Sequence, residues 1–508
     1  MGFPIAGKSY CDLNGASLEP RAAAIVVFGG TGDLSRRKIV PALYKLQLSG
    51  ILPEGVRIIG FARRDQGDAE FRSSLRDACE KHSGGARIDG DEWGRFERRI
   101  TYIRGDLGDP AAYGELAQAL AAPGMPDDAL FYLAVSPDSF ETVARALAAA
   151  GLGSAGRGSE SRARPSGSRR LVVEKPFGRD RMSARGLNAA LQECFDESDI
   201  LRIDHYLGKE TVQNLLYFRF ANSIFEPLWN SGHIQSVEIE VLESEGIGTR
   251  GGYYDGAGAA RDMLQNHLIQ LLCLTAMEPP ATLDPEAIRD EKVKVLRSIR
   301  DYPREELLRR SRRGQYSAGL LSSGDGCPAY RDEPKVSPDS TTETYVSLRL
   351  EVDNWRFAGV PFVLRTGKAL DRQLSEIRVN FRRPPAALFS GWCGDALSPN
   401  ALAIRVQPDE GMALRFNVKI PGAARVGPSE LRFAYREGNE DYFPEAYERL
   451  LADALAGDST LFIRSDEAEE AWRIVDALEA AWAGGPPPES YPAGGAGPAE
   501  EGAEAWGL

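Results

Sequence analysis

The feature that most limits how this chain can fold is a short apolar strand that runs straight into a glycine turn and then a helix. Residues 22–28, AAAIVVF, carry no polar side chain; Gly29-Gly30-Thr31-Gly32 follow, and LSRRKIVPALYKLQLSG then reads as a helix closed by Gly50. A strand without polar alternation is buried on both faces, as parallel strands between helix layers are. VRIIGFA (56–62), ALFYLAV (129–135) and RLVV (170–173) repeat the pattern, with helical stretches such as FETVARALAAAG between them. Strands alternating with helices predict a Rossmann-type, doubly wound parallel sheet. Residues 151–170, small, polar and basic, read as a flexible loop within it.

The periodicity changes after about residue 205. HIQSVEIEVLES, TETYVSLRLEV, EIRVNFRR, NALAIRVQ and GMALRFNVKI alternate at or near period two. Few helices separate them, which predicts a large, mainly antiparallel sheet with one covered face. RDMLQNHLIQLLCLTAM reads as a long buried helix, and EAYERLLADALAG and DEAEEAWRIVDALEAAW as late helices. The expected organisation is an N-terminal extension (1–21), a cofactor domain (22–204), a β+α substrate and oligomerisation domain (205–485) and an irregular tail (486–508). A length of 508 residues suits two such cores.

The formal net charge of -13 argues against nucleic acid and anionic membranes as partners, so anionic ligands need local basic clusters. No apolar run reaches the roughly 18 residues of a membrane span. The N-terminus lacks a secretory pattern. The six cysteines are scattered and never form C-x-x-C, so reduced thiols in a cytoplasmic protein are expected, with no metal site.

A glycine turn between a first strand and a helix lets the backbone approach a pyrophosphate at the helix N-terminus. The pattern here is G-x-x-G, which a plain tight turn also explains. After the second strand, where an acid would hold the ribose of NAD, stand Arg63-Arg64. A guanidinium suits a 2′-phosphate, which favours NADP; a solvated charge cluster and dual cofactor use stay open.

Three segments carry chemistry. Lys175, in Glu174-Lys175-Pro176-Phe177-Gly178, follows an apolar strand at the end where ligands bind in such sheets. Asp204-His205-Tyr206-Leu207-Gly208-Lys209 packs an acid, an imidazole, a phenol and an ammonium together; if helical, His205 and Lys209 share a face, and the set reads as a phosphate clamp or a capped surface turn. Asp262, Asn266 and His267 lie in an apolar helix, where polar side chains must be paired or functional. Removing a hydride from an alcohol needs a base for the hydroxyl proton, and an imidazole has the natural pKa for it.

GGTGDLSRRK, EKPFGRD, RIDHYLGKETVQNLLYFRFAN, GGYYDGAGAARDMLQNHLIQLL and WRFAGVPFVLRTGKAL resemble, in order, the signatures of the glucose-6-phosphate dehydrogenase family. The resemblance implies oxidation of glucose 6-phosphate to 6-phosphoglucono-1,5-lactone with NADP, the entry step of the pentose phosphate pathway, in a homodimer or homotetramer. It implies His267 as general base and Asp204 as the carboxylate orienting it. It assigns the sugar phosphate to His205, Tyr206 and Lys209, and the ring hydroxyls to Lys175, Glu243, Asp262 and Lys368. It assigns the cofactor to Gly29, Thr31, Gly32, Asp33, Leu34 and Arg63, with Lys175 also beside it. Two departures stand out. The basic residue expected five places after Lys368 is Gln373, so either Arg372 takes its role or the phosphate is held less tightly; and the tail reads Ala493-Gly494-Gly495-Ala496-Gly497-Pro498, without the family's Ser-Trp. A different sugar oxidoreductase, or an NADP-binding redox regulator without catalysis, remains as a competing reading.

Overall fold

Six strands, β1 (Ala23–Phe28), β2 (Arg57–Ala62), β3 (Ile100–Arg104), β4 (Asp128–Leu133), β5 (Arg169–Val173) and β6 (Ile200–Ile203), pair in parallel in the order β3-β2-β1-β4-β5-β6. This is the computed structural model of the chain, and it describes residues 19–82, 88–155, 167–384, 397–435 and 444–498. Every residue of β1 is buried, which is why its sequence shows no alternation. Phe28, Phe61 and Tyr113 meet with ring centroids 4.9–5.9 Å apart, and burying each such side chain stabilises the core by roughly 1.5–3 kcal/mol. The helix expected after the glycine turn runs as a π-helical turn, Ser35–Ile39, then Val40–Leu48, and ends where Gly50 takes a φ of +74°.

The larger sheet contains β7 (Ile234–Leu242), β8 (Ser311–Ser317), β11 (Tyr345–Glu351), β12 (Pro361–Gly367), β13 (Leu374–Phe381), β14 (Ala401–Gln407), β15 (Gly411–Lys419), β16 (Val426–Ala434) and β18 (Glu489–Pro492). A small hairpin, β9 (Gly319–Leu320) with β10 (Gly326–Cys327), stands outside it, and β17 (Phe462–Ile463) lies beside β6 in the parallel sheet. The nine strands are ordered β16-β15-β14-β13-β7-β12-β11-β8-β18 and pair antiparallel except β12 with β7 and β18 with β8. The tail, expected to be irregular, therefore contributes a strand: Tyr491 is buried and its hydroxyl donates to the Lys368 carbonyl at 2.8 Å. Residues 1–18, 156–166 and 499–508, which include most of the expected N-terminal extension, much of the 151–170 loop and the end of the tail, lie outside the described residues.

By internal contacts the chain forms two units, each assembled from separate stretches. The first comprises 1–175, 189–203 and 445–462; the second comprises 176–188, 204–444 and 463–508. In the first, the helix Ala446–Ala456 packs on Val40–Leu48, with Lys45 Nζ 2.5 Å from Glu445 and 3.5 Å from Glu448. In the second, the helix Ser465–Trp482 buries Glu467 against Lys292, 2.6 Å away, beside the segment that carries His267. A buried pair of this kind is badly upset if one partner alone is removed.

Candidate active site

At the C-terminal ends of β1 and β2, the turn after β1 is held by Gly29 and Gly30 N–H groups donating to the Phe61 carbonyl at 2.9 and 3.2 Å. Gly29 has a φ of +81°, and a Cβ there would stand 2.2 Å from the Ala134 carbonyl oxygen, so the turn requires glycine. A cavity of about 540 Å³ opens beside it, lined by Gly29, Thr31, Gly32, Arg63 and Arg64 among others. Arg63 is exposed over this cavity and loosely paired with Asp106 at 3.9 Å, so its guanidinium is accessible to a phosphate. Asp33 and Leu34 continue the turn, Asp33 exposed and 3.5 Å from Arg37. These residues fit a dinucleotide: a glycine turn for the pyrophosphate and a cation at the end of the second strand.

Lys175, half-buried just beyond β5, closes the first stretch of the first unit; its neighbour Glu174 accepts the Tyr132 hydroxyl at 2.5 Å. The remaining expected site residues all belong to the second unit.

There, Asp204 and His267 meet. Asp204 Oδ1 lies 2.5 Å from His267 Nδ1, and both side chains are buried. The same oxygen accepts the Tyr206 N–H at 2.9 Å. Burial acts to raise the Asp204 carboxyl, but the His267 ring, His205 and the Tyr206 N–H together hold it well below the usual carboxylate range. An Nδ1–H donating to the carboxylate places the lone pair of the neutral imidazole on Nε2. The Tyr206 ring stacks on His267 at 4.4 Å, and His205 meets His267 edge-on at 4.6 Å. Asp204, His205 and His267 offer ligand atoms within 4.8 Å of one another, a set that could also meet a metal. The 2.5 Å Oδ1–Nδ1 separation is nevertheless that of a hydrogen bond.

Asp204 to Gly208 form turns and not a helix, so His205 and Lys209 are not on one helical face; Lys209 instead flanks the N-terminus of the helix Glu210–Phe220. Its ammonium sits 4.6 Å from the centre of the Tyr206 ring and donates to Gln407 Oε1. Burial draws that ammonium down to about 8, opposed by Glu410 and Asp204. The Tyr206 hydroxyl, pushed up to about 12 by burial, is 3.1 Å from Ser375 Oγ. Gln407 was not legible as a site residue: it ends an ordinary alternating strand, and only the turn at Pro408 hints that the strand stops there.

Lys368, buried just after β12, pairs with Glu243, which stands just after the neighbouring β7, and lies 4.0 Å from Asp262. Parallel pairing of β7 and β12 brings Glu243 and Lys368 to one end of the sheet. Asp262 and His267 lie in a π-helical stretch, Ala260–Leu268, and not in the α-helix expected. The wider π turn brings position 267 closer to the direction of 262 than an α-helix would. Asn266 turns back on its own helix, donating to the Asp262 carbonyl at 3.0 Å. Gln373 is exposed; Arg372 is 55% exposed, 3.7 Å from Asp371 and 3.9 Å from Glu240.

A Rossmann-type sheet with its glycine turn, joined in one chain to a buried carboxylate–imidazole pair among cations, defines an oxidoreductase of the dehydrogenase class. Residues 26–214 match the family model described as glucose-6-phosphate dehydrogenase, NAD binding domain, and residues 216–505 match its C-terminal domain. The chain belongs to the glucose-6-phosphate dehydrogenase family. It is 45% identical over 489 residues to glucose-6-phosphate 1-dehydrogenase 2 of Mycobacterium tuberculosis (strain ATCC 25618 / H37Rv), covering 94% of this chain and 92% of that one. It is 41% identical to the glucose-6-phosphate 1-dehydrogenase of Bacillus subtilis (strain 168), covering 94% and 95%. A solved glucose-6-phosphate dehydrogenase in complex with its substrate glucose 6-phosphate superposes with a TM-score of 0.85 at 36% identity, covering 96% and 97%.

Proposed function

We propose that this enzyme oxidises D-glucose 6-phosphate at C1 to 6-phospho-D-glucono-1,5-lactone, passing a hydride to NADP+, as the first step of the oxidative pentose phosphate pathway. The observation that carries the reading is the buried Asp204–His267 pair, with Oδ1 and Nδ1 2.5 Å apart. Bound nicotinamide supplies the hydride acceptor. His267 takes the C1 hydroxyl proton on Nε2, and Asp204 stabilises the imidazolium so formed. His205, Tyr206 and Lys209 hold the sugar phosphate, with Gln407 beside the ammonium. Glu243, Asp262, Lys368 and Lys175 hold the ring hydroxyls. Gly29, Thr31, Gly32, Asp33 and Leu34 cradle the pyrophosphate, and exposed Arg63 reads the 2′-phosphate, which favours NADP over NAD. The test is the formation of reduced nicotinamide by purified protein with glucose 6-phosphate, glucose, NADP and NAD in each combination. Turnover of glucose alone, or none at all, overturns the reading.

The same reading makes the enzyme a cytoplasmic homodimer or homotetramer. Cys79, Cys194, Cys273 and Cys327 are buried and unpaired, in keeping with a reducing compartment. Leu431 and Phe433 stand 62% and 54% exposed on β16 at the edge of the large sheet, where a second copy can cover them. Mass measurement in solution decides the assembly.

A further inference from the structure

The segment that carries Asp262 and His267 begins at a break. The helix Gly251–Ala259 is interrupted at Gly258, where φ is +70° and ψ 173°, a conformation open essentially to glycine alone. Ala260 then starts the π-helical stretch Ala260–Leu268 without a capping side chain of its own. A helix start leaves N–H groups unsatisfied, and a buried one needs an acceptor from elsewhere. Glu343 supplies two, from the loop before β11: its carbonyl accepts the Ala259 N–H and its Oε1 accepts the Ala260 N–H, each at 3.0 Å. The fit is close, since a Cβ on Gly258 would lie 2.3 Å from Glu343 Oε1.

We propose that Glu343 is a positioning residue for the reaction: it fixes the start of the π-helical stretch, and through it the placement of Asp262 and His267, while touching neither sugar nor cofactor. Four properties support this. Glu343 is buried, at 7% exposure, so its carboxyl group is committed to the backbone and not to solvent. It faces Arg261 and Glu479 across a cavity of about 190 Å³, where Arg261 pairs with Glu479, so the residue preceding Asp262 is also held from this side. Burial raises the Glu343 carboxyl, so an uncharged amide is a fair substitute for it. Asp262 is two residues beyond the capped N–H, and a small displacement in a catalytic constellation reduces rate steeply, by up to about 10²-fold per ångström.

This inference rests on the functional reading of His267, and the test separates the two. Glu343→Gln keeps an acceptor at Oε1 and should hold kcat within about twofold of wild type. Glu343→Ala and Glu343→Asp remove it or withdraw it, and should lower kcat by about tenfold or more, with the KM for the nicotinamide cofactor unchanged. Hydrogen exchange of a peptide covering residues 259–268 should quicken in the Ala and Asp variants and stay slow in the Gln variant. Wild-type kcat in a folded Ala variant, or a Gln variant as slow as Ala, overturns the proposal. If wild type does not turn over glucose 6-phosphate, the functional reading fails, and unchanged exchange in all three variants sinks the cap on its own.

Discussion

His267 Nδ1 and Asp204 Oδ1, both buried, share a hydrogen bond of 2.5 Å in a cluster with Tyr206 and the half-buried His205. His267→Asn should therefore lower kcat by about 10²–10⁴-fold and leave the KM for glucose 6-phosphate nearly unmoved, because a general base acts mainly in the transition state. Steady-state kinetics on the variant decides it; near-normal kcat removes His267 from the mechanism.

Asp204→Asn keeps the shape and removes the charge. We expect kcat to drop by about 10²-fold or more, since the imidazolium loses its counter-charge and the imidazole its enforced tautomer. The pH response has a definite sign. The Asp204 carboxyl is held low in the folded protein, so its stabilising contribution is present above the ordinary carboxylate range and lost as pH falls through it and below. Denaturant unfolding at neutral and acid pH should show the wild-type advantage over Asp204→Asn shrinking in acid; an advantage that grew in acid would contradict the pairing.

Arg63→Ala should weaken NADP far more than NAD. Only NADP carries a 2′-phosphate, and a hydrogen bond to a charged group contributes roughly 1.5–3 kcal/mol. Cofactor titrations on the variant are the measurement, and equal losses for both cofactors would show that Arg63 reads something else.

Lys209→Ala should raise the KM for glucose 6-phosphate strongly and that for glucose hardly at all, since only the first has a phosphate to lose its partner. Added salt should weaken wild-type binding of the phosphorylated sugar more than that of glucose. The ammonium is drawn down to about 8, so it sheds its proton as pH rises through that value. Wild-type kcat/KM for glucose 6-phosphate should fall above about pH 8, a limb absent for glucose. A common limb, or one KM factor for both sugars, defeats the clamp.

The parallel sheet was legible because burial on both faces writes itself as unbroken apolar runs, as in Ala23–Phe28. Five alternating strands of the second sheet were legible for the complementary reason, but β8 and β16 were not picked out and β12 was not separable by pattern from the motif around Lys368. The tail strand was hidden by its glycines and prolines; pairing with β8 imposed it. Periodicity could not report the π-helical repeat at 260–268, because nine residues make too few turns to separate it from an α repeat. It likewise suggested a helical face for His205 and Lys209 where the backbone turns. Gln407 carried no signal of its contact with Lys209, since that contact comes from a strand about two hundred residues away in sequence.

The first unit includes residues 445–462, and the helix Ala446–Ala456 buries Leu450, Leu451 and Leu455 there. In synthesis from the N-terminus, the last stretch of the nucleotide-binding unit, 445–462, is made well after its first two, 1–175 and 189–203. Cutting the gene after codon 204 would not liberate a self-sufficient module; it would leave out a late-arriving wall, and fusing residues 445–462 back onto such a fragment is the way to supply it.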